Sequence, residues 1–120
     1  MNVNTGPAFS VLYRWRLHPG KEEQFVQAWT QISYSLLHER GSLGSRLHRG
    51  DDNIWYSYAQ WPSEEKRRLA FSIPAVDAEA SIKMRDAIAD NFPEVVLKSV
   101  SDLMIAVPEN DAVYLPSEPE

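Results

Sequence analysis

The chain has 120 residues, of which 43% are hydrophobic and 11% aromatic, so its composition is that of one folded domain and excludes a disordered chain. A net charge of −5 disfavours a nucleic-acid partner, and the lack of cysteine excludes disulfides and thiolate metal sites. No apolar run approaches the roughly 20 residues of a membrane span, and the first residues lack the basic and apolar regions of a signal peptide. We therefore expect a soluble cytoplasmic protein with no nucleic-acid partner and no membrane partner.

Residues 9–17 alternate in polarity as a half-buried strand does, and the pair Pro19 and Gly20 then ends the pattern. The opposite face of this strand carries Arg14 and Arg16, for which we expect contacts across a sheet interface. The alternation places five apolar side chains on one face, namely Phe9, Val11, Tyr13, Trp15 and Leu17.

A helix follows, with Glu22 and Glu23 in its first turn, where the helix dipole favours anions. His38 lies in its last turn, and Gly41 can adopt the left-handed conformation that ends a helix. The apolar stripe at helical spacing consists of Phe25, Val26, Trp29, Ile32, Leu36 and Leu37. This stripe predicts a helix that packs on the sheet.

Two further strands are predicted over residues 43–49 and 54–61, joined by a hairpin-type turn at residues 50–53. The second of them is bulky on both faces, with Ile54, Tyr56 and Tyr58 on one side and Trp55, Ala59 and Trp61 on the other. A sheet that helices cover on one face is expected to be polar on the other. Another surface must therefore cover the second face.

The second half of the chain predicts two more helices and a last strand. Ser63 is a candidate N-cap of the next helix, and Pro74 interrupts the helical pattern. Asp77 is a candidate cap of a further helix, which we expect to run to about residue 91 and to end at Pro93. The last strand is expected within residues 95–107, with a bulge at Ser101 and Asp102, where the alternation slips.

The order strand, helix, strand, strand, helical region, strand predicts an α+β fold, the ferredoxin-like β-α-β-β-α-β protomer with an antiparallel sheet. The chain would divide into an N-terminal arm (residues 1–8), this domain (9–107) and a C-terminal tail (108–120). Because Tyr114 and Leu115 are apolar, we expect the tail to pack on its own sheet or on a partner subunit.

Three stretches resemble one family. They are VLYRWRLHPGKEEQF (residues 11–25), LGSRLHRGDD (43–52) and YSYAQWPSEE (56–65). Their order and spacing are similar to those of the antibiotic biosynthesis monooxygenase superfamily, over about residues 9–71. The resemblance implies a dimeric α+β barrel, in which two protomers pack sheet against sheet and so cover the second apolar face. It also implies a small-molecule pocket between each sheet and its own helices.

The branches of this family use different residues in that pocket. The haem-degrading branch has an asparagine on the first strand, a tryptophan at the end of the third and a histidine on the next helix; the matching positions here are Tyr13, Trp61 and near Phe71. The branch that oxidises aromatic polyketides pairs the tryptophan with an asparagine and a tyrosine, at positions that match Ser57 and about Arg67. The chain keeps only the tryptophan of each set.

The candidate catalytic residues are therefore Trp61, Tyr13 and His38. For Trp61, core packing and a pocket wall that stacks on an aromatic ligand are both consistent with the sequence. Tyr13 can share a hydrogen-bond partner with a ligand, whereas His38 is either a cation at the helix C-terminus or a proton acceptor. The candidate substrate-binding residues are Trp15, Trp29, Ser57, Phe71 and Arg85, the last of which either holds an anion or lies on the surface.

No metal ligand set is expected, because His18, His38 and His48 have no paired spacing. An electron-rich phenolate or hydroquinone anion can pass an electron directly to oxygen, so aromatic and arginine side chains suffice for such a reaction. We expect a homodimeric, cofactor-independent monooxygenase that oxidises a small aromatic or quinol-like compound with molecular oxygen. The alternative is a non-catalytic dimeric module that binds a small hydrophobic ligand or haem.

Overall fold

The computed structural model describes residues 9–74 and 77–105, which form four strands and three helices. In chain order these are β1 (Phe9–Leu17), α1 (Glu22–Glu39), β2 (Ser45–Arg49), β3 (Trp55–Trp61), α2 (Glu64–Ala70), α3 (Ala78–Ala87) and β4 (Ile88–Lys98). The predicted arm and the whole of the predicted tail lie outside the described residues, and with them the expected packing of Tyr114 and Leu115. No helix in the described part of the chain is long and apolar enough to cross a membrane.

The four strands form one antiparallel sheet in the order β2-β3-β1-β4. Val11 lies opposite Ala59 and Trp15 opposite Trp55, so these four side chains share the face that the helices cover. The element order and the central position of β1 and β3 are those of a ferredoxin-like fold. The predicted fold class of the protomer is therefore confirmed, with the second helical region divided into α2 and α3.

The predicted start and end of α1 are confirmed, but its buried stripe is narrower than predicted. Gly41 follows the helix with a φ of 84°, the left-handed conformation that favours glycine. Phe25 and Ala28 are buried, whereas Val26 and Leu37 are more than a third exposed. The sheet-facing side chains Trp29, Ile32 and Leu36 are only half-buried, because an open space lies between them and the sheet.

Both predicted N-caps are confirmed. The Ser63 hydroxyl accepts a hydrogen bond from the backbone N–H of Lys66, and the Asp77 carboxylate accepts one from the N–H of Ala80. Each bond satisfies one of the N–H groups that a helix start leaves without an internal partner.

Replacement of Ser63 by alanine is expected to lower the free energy of unfolding by about 1 kcal/mol, because α2 loses its only side-chain cap. Urea unfolding followed by circular dichroism measures this change. Thr30→Ala, at an exposed position within α1, is the control and is expected to change stability by less than about 0.5 kcal/mol. Equal unfolding midpoints for wild type and Ser63→Ala would contradict the capping role.

The predicted boundary between the last helix and the last strand was wrong. The helix α3 ends at Ala87 and not near residue 91, and β4 covers 88–98 and not a stretch within 95–107. Residues 99–105 belong to no strand, so the bulge predicted at Ser101 and Asp102 is also wrong. Pairing with β1 decides this boundary, since residues 88–98 satisfy the backbone groups on the free edge of β1.

Pro93 lies within β4, although the sequence predicted that it ends a helix. The register between β1 and β4 shifts between Leu12 and Arg14, so that Tyr13 faces the two residues Pro93 and Glu94. A bulge on an edge strand leaves a residue without a ladder bond, which is where proline is tolerated in a sheet. The bulge therefore accommodates Pro93 and shifts the following side chains relative to β1.

The buried core consists of two clusters that lie at opposite ends of the sheet. Trp15, Phe25 and Trp55 centre one cluster, in which Phe25 packs edge to face against both tryptophan rings. Phe9, Val11, Trp61 and Ala70 form the other. Tyr13 is half-buried and packs against both clusters.

The face of the sheet away from the helices is partly apolar, as the sequence predicted. Arg14 and Arg16 lie on this face and hold their guanidinium groups over the Phe92 ring, at 5.8 and 5.5 Å from its centre. Arg16 also pairs with Asp90, and Ser10 shares a hydrogen bond with the Tyr58 hydroxyl. The apolar side chains of this face follow from the strand register: Leu12, Tyr56, Tyr58, Phe92, Val95 and Leu97.

Candidate functional site

A cavity of about 670 Å³ lies between the helix-covered face of the sheet and the helices. Most of its wall is apolar, and its small side chains from β3 and α1 leave the space open. Its volume is within the range of small-molecule sites. The aromatic residues that line it are Tyr13, Trp15, Trp29, Trp61, Phe71 and Phe92.

The aromatic rings of the wall are ordered by contacts with one another. The Tyr13 and Trp15 rings are parallel within 5°, with centres 5.9 Å apart. The Phe71 ring meets the Trp61 ring edge to face at 5.8 Å. Phe71 follows α2 directly and is 53% exposed, so it forms the part of this wall that meets solvent. Flat walls of this kind suit a planar ligand.

Trp61 closes β3 and is only 1% exposed. Its indole N–H is buried and meets no hydrogen-bond acceptor among the described residues. An unpaired buried donor costs free energy, so it is rare in a folded protein unless a ligand or water satisfies it. Trp61 is therefore a core residue and a wall of the cavity at the same time, as the sequence allowed.

Ser57 and Trp29 link β3 to α1 across the cavity. The Trp29 indole N–H donates to the Ser57 hydroxyl oxygen at 3.2 Å. Since the serine oxygen accepts this bond, its own hydrogen remains available to a ligand acceptor. Ser57 is buried, and its small side chain leaves room beside Trp61.

Tyr13, Arg67 and Glu94 form a cluster at the cavity wall that joins β1, α2 and β4. Arg67 donates from both terminal nitrogens to the Glu94 carboxylate, at 3.1 and 2.8 Å, and from Nη2 to the Tyr13 hydroxyl at 2.9 Å. The guanidinium also lies over the Tyr13 and Phe71 rings, at 5.7 and 5.6 Å from their centres. Its Nε–H is buried and meets no acceptor in the described part of the chain.

The sequence reasoning missed Glu94 and did not place Arg67 among the site residues. Glu94 is next to the proline that was taken for a helix end, and only the bulge opposite Tyr13 brings it into contact with Arg67. For Arg67 a signal was present, because it occupies about the position of the family's pocket tyrosine. A charged side chain on a short helix is usually solvated, so Arg67 was not included among the candidate site residues.

The environment of this cluster changes two pKa values. Burial raises the pKa of the Tyr13 phenol above its ordinary value of 10.0, and the Arg67 charge and hydrogen bond offset this only in part. Burial alone would lower the pKa of Arg67, but the bonds to Glu94 and Tyr13 outweigh it and raise that pKa. At neutral pH Tyr13 is therefore a neutral phenol and Arg67 a cation.

The raised pKa of Tyr13 predicts that stability falls at high pH. Because the folded state binds the phenol proton more tightly than the unfolded chain, this contribution is complete below pH 10 and is lost as the pH rises through the folded pKa. Urea unfolding at pH 8 and pH 11 measures it. Wild type is expected to lose more stability over that interval than Tyr13→Phe, in which the other tyrosines titrate as before. Equal losses would contradict the raised pKa.

The structure brings seven of the eight predicted site residues to this one cavity: Trp61, Tyr13, Trp15, Trp29, Ser57, Phe71 and Arg85. His38 is not at the cavity. It is exposed on the last turn of α1, where its ring lies 4.3 Å from that of Tyr34. Arg85 is exposed on α3 and reaches the wall of the cavity, and it pairs with no carboxylate of the described residues.

The polar groups of the wall include the hydrogen-bond donors of Ser57, Arg67 and Arg85. They are suited to hold a ligand oxygen, and the aromatic walls exclude water around it. Among residues 9–74 and 77–105, no three His, Asp or Glu side chains are grouped closely enough to hold a metal ion.

The fold is shared with several solved structures. SnoaB, a cofactor-independent oxygenase from Streptomyces nogalater, superposes with a TM-score of 0.67 at 15% identity, over 82% of this chain and 98% of that chain. A candidate antibiotic biosynthesis monooxygenase from Chloroflexus aurantiacus gives 0.66 at 18% identity, with the same two coverages. One from Bordetella bronchiseptica gives 0.64 at 19% identity, over 82% and 100%. At these identities the likeness concerns the fold alone.

Sequence comparison identifies the family. No curated protein matches the chain. Residues 8–70 match the family model described as antibiotic biosynthesis monooxygenase, which is more than half of the 120 residues and includes β1, α1, β2, β3 and α2. The chain therefore belongs to the antibiotic biosynthesis monooxygenase family.

Proposed function

We propose that the protein is a cofactor-independent monooxygenase that oxidises a small aromatic or quinol-like compound with molecular oxygen. The observation that carries the proposal is the cavity of about 670 Å³, whose aromatic walls and hydrogen-bond donors suit a planar ring with oxygen substituents. Family membership and the likeness to the cofactor-independent oxygenase SnoaB support a monooxygenase-like role.

The reaction needs little from the protein beyond binding and shielding. A phenolate passes an electron to oxygen, and the two radicals combine. The resulting peroxide loses water, so that a phenol and O2 give a quinone and H2O. Trp61, Ser57 and Arg67 would hold the ring oxygen and stabilise its negative charge, and the apolar walls would exclude bulk water.

Oxygen consumption tests this proposal. Purified protein is mixed with a panel of anthrones and hydroquinones in an oxygen electrode, with and without a metal chelator. The proposal predicts uptake above the rate of the uncatalysed autoxidation, one O2 per product, and no loss on chelation. Uptake that equals the buffer rate for every compound would contradict it.

A second proposal concerns the oligomer. The apolar patch on the outer face of the sheet (Leu12, Tyr56, Tyr58, Phe92, Val95 and Leu97) supports a homodimer in which two sheets pack face to face. Such an interface would bury more than about 1,500 Å² in total.

Light scattering at micromolar concentration is expected to give twice the 13.7 kDa of one chain. Tyr58→Glu places a charge in the middle of the patch and is expected to favour the monomer. A monomeric mass for wild type would contradict the proposal.

A non-catalytic binding module is the second candidate function, and one observation favours it. Glu94 is the only carboxylate among the described residues of the wall, and Arg67 already binds it. Both oxygens of this carboxylate already accept hydrogen bonds from Arg67, so removal of a substrate proton by Glu94 would compete with these bonds. Tight binding of aromatic probes without oxygen uptake would identify this function.

A further inference from the structure

The ionisable groups of the cavity are unusual for this protein. The chain carries a net charge of −5, yet the described wall contains two arginines, Arg67 and Arg85, and one carboxylate, Glu94. The wall is thus positive by one charge, because Tyr13 stays neutral. A cavity with low-dielectric walls concentrates the field of such charges and attracts a ligand of the opposite sign.

Two buried donors of the wall lack an acceptor among residues 9–74 and 77–105. The Trp61 indole N–H and the Arg67 Nε–H are both buried, and neither meets an acceptor in the described residues. Both side chains lie beside Phe71. The centre of the Trp61 ring is 5.8 Å and the Arg67 guanidinium 5.6 Å from the centre of the Phe71 ring. Both residues line the cavity, so these unpaired N–H groups add to the positive potential that an acceptor oxygen beside a planar ring would meet there.

We infer that the cavity selects an aromatic anion, a planar ring with an ionised carboxylate or phenolate oxygen, and that Arg67 is the residue that sets this specificity. Arg85, at the exposed side of the wall, adds a second cation. That this anion is the substrate rests on the proposed function. That the cavity binds it does not.

Glu94 occupies part of the site that the ligand anion would use. Its two oxygens accept hydrogen bonds from both terminal nitrogens of Arg67, so an incoming oxyanion shares or replaces these bonds. The carboxylate therefore competes with the ligand for one guanidinium. This competition gives opposite expectations for the two partners of the pair: loss of Arg67 weakens anion binding, and loss of the Glu94 charge strengthens it.

The probes are 2-naphthoate and its neutral isostere 2-naphthamide, measured by titration calorimetry at pH 7. Wild type is expected to bind the carboxylate at least about tenfold more tightly than the amide, because hydrogen bonds to charged groups are stronger than those between neutral groups. 2-Naphthol, titrated at pH 7 and at pH 10, shows whether a phenolate is accepted as well as a carboxylate. Absence of naphthoate binding, or equal affinity for the carboxylate and the amide, would overturn the inference.

The variants separate recognition from structure. Glu94→Gln is expected to bind naphthoate about threefold or more tightly than wild type, with naphthamide affinity unchanged. Arg67→Met alone would leave the Glu94 carboxylate at the cavity wall without its partner, so the double variant Arg67→Met with Glu94→Gln removes both charges and is expected to lose the preference. Lys83→Met also removes one positive charge, from the exposed face of α3, and is expected to keep the preference for the carboxylate.

A purely structural role for the pair would give a different result. The pair would then only tie α2 to β4, and both Glu94→Gln and the double variant would lower stability without changing the ratio of the two affinities. That result would overturn the inference. Oxygen uptake tests the proposed function separately. Selective binding of the anion without oxygen uptake would contradict only the proposed monooxygenase activity. Oxygen uptake with equal affinity for anion and amide would contradict only the inferred selectivity for an anion.

Discussion

Replacement of Trp61 by alanine is expected to lower the free energy of unfolding by about 3–5 kcal/mol. The side chain is 1% exposed and packs with Phe9, Val11 and Ala70 in one of the two core clusters. Its removal enlarges a cavity that is already open, so few neighbouring side chains can move in to fill the new space. Chemical denaturation followed by far-ultraviolet circular dichroism measures the change.

Trp61→Phe separates the two roles of this residue. It keeps an aromatic ring and removes a buried N–H that has no acceptor in the described structure, so the expected loss of stability is only about 1–2 kcal/mol. Ligand affinity is expected to fall several-fold, because the smaller phenylalanine ring offers less area for stacking, which contributes about 0.5–1.5 kcal/mol. Unchanged affinity in this variant would make Trp61 a packing residue only.

Filling the cavity is expected to have the second large effect. Ala59 lies at the middle of β3, is buried, and lines the cavity. In Ala59→Phe the new ring occupies the space of the ligand, so we expect at least about a tenfold loss of affinity for an aromatic probe, or about 1.4 kcal/mol of binding free energy. Stability is expected to change by less than about 1 kcal/mol, since the cavity has room for the ring.

The matched control is Gln31→Phe, which adds the same ring to an exposed position of α1. It is expected to leave both probe affinity and oxygen uptake at the wild-type level. If Ala59→Phe also bound the probe normally, the ligand site would lie elsewhere in the molecule.

Local sequence pattern was sufficient to predict β1, β3 and α1, because most of the side chains that the tertiary structure buries in these elements are ones that the pattern marks as apolar. Alternation in β1 separates Val11 and Trp15, under the helices, from Arg14 and Arg16 on the outer face. The caps Ser63 and Asp77 were predictable for the same reason, since a cap bond joins residues three apart in the chain.

The start of β4 was not predictable from local pattern. Met84 and Ile88 are four residues apart and indicate a continuing helix, yet Ile88 begins a strand. The edge of β1 is distant in sequence, and its unpaired backbone groups determine the conformation of this segment. Pro93 misled the prediction because its position in a bulge depends on that pairing.

The candidate site was predictable in its walls and not in its polar centre. The resemblance implied a pocket between sheet and helices, and the aromatic candidates Tyr13, Trp15 and Trp61 line it. The cluster of Tyr13, Arg67 and Glu94 joins three elements and depends on the bulge, so no local spacing indicates it. His38 was predicted from residue type alone, and the fold places it away from the cavity.

The central claim is that this chain, without a cofactor, transfers one atom of molecular oxygen to an aromatic compound in the cavity between sheet and helices. Turnover of an anthrone or hydroxyaryl acid under 18O2, with chelator-treated protein and mass spectrometry of the product, tests it most directly. The account predicts one 18O atom per product molecule with wild type and a strongly reduced yield with Ala59→Phe. A product without 18O, or the same labelled yield from Ala59→Phe as from wild type, would contradict it.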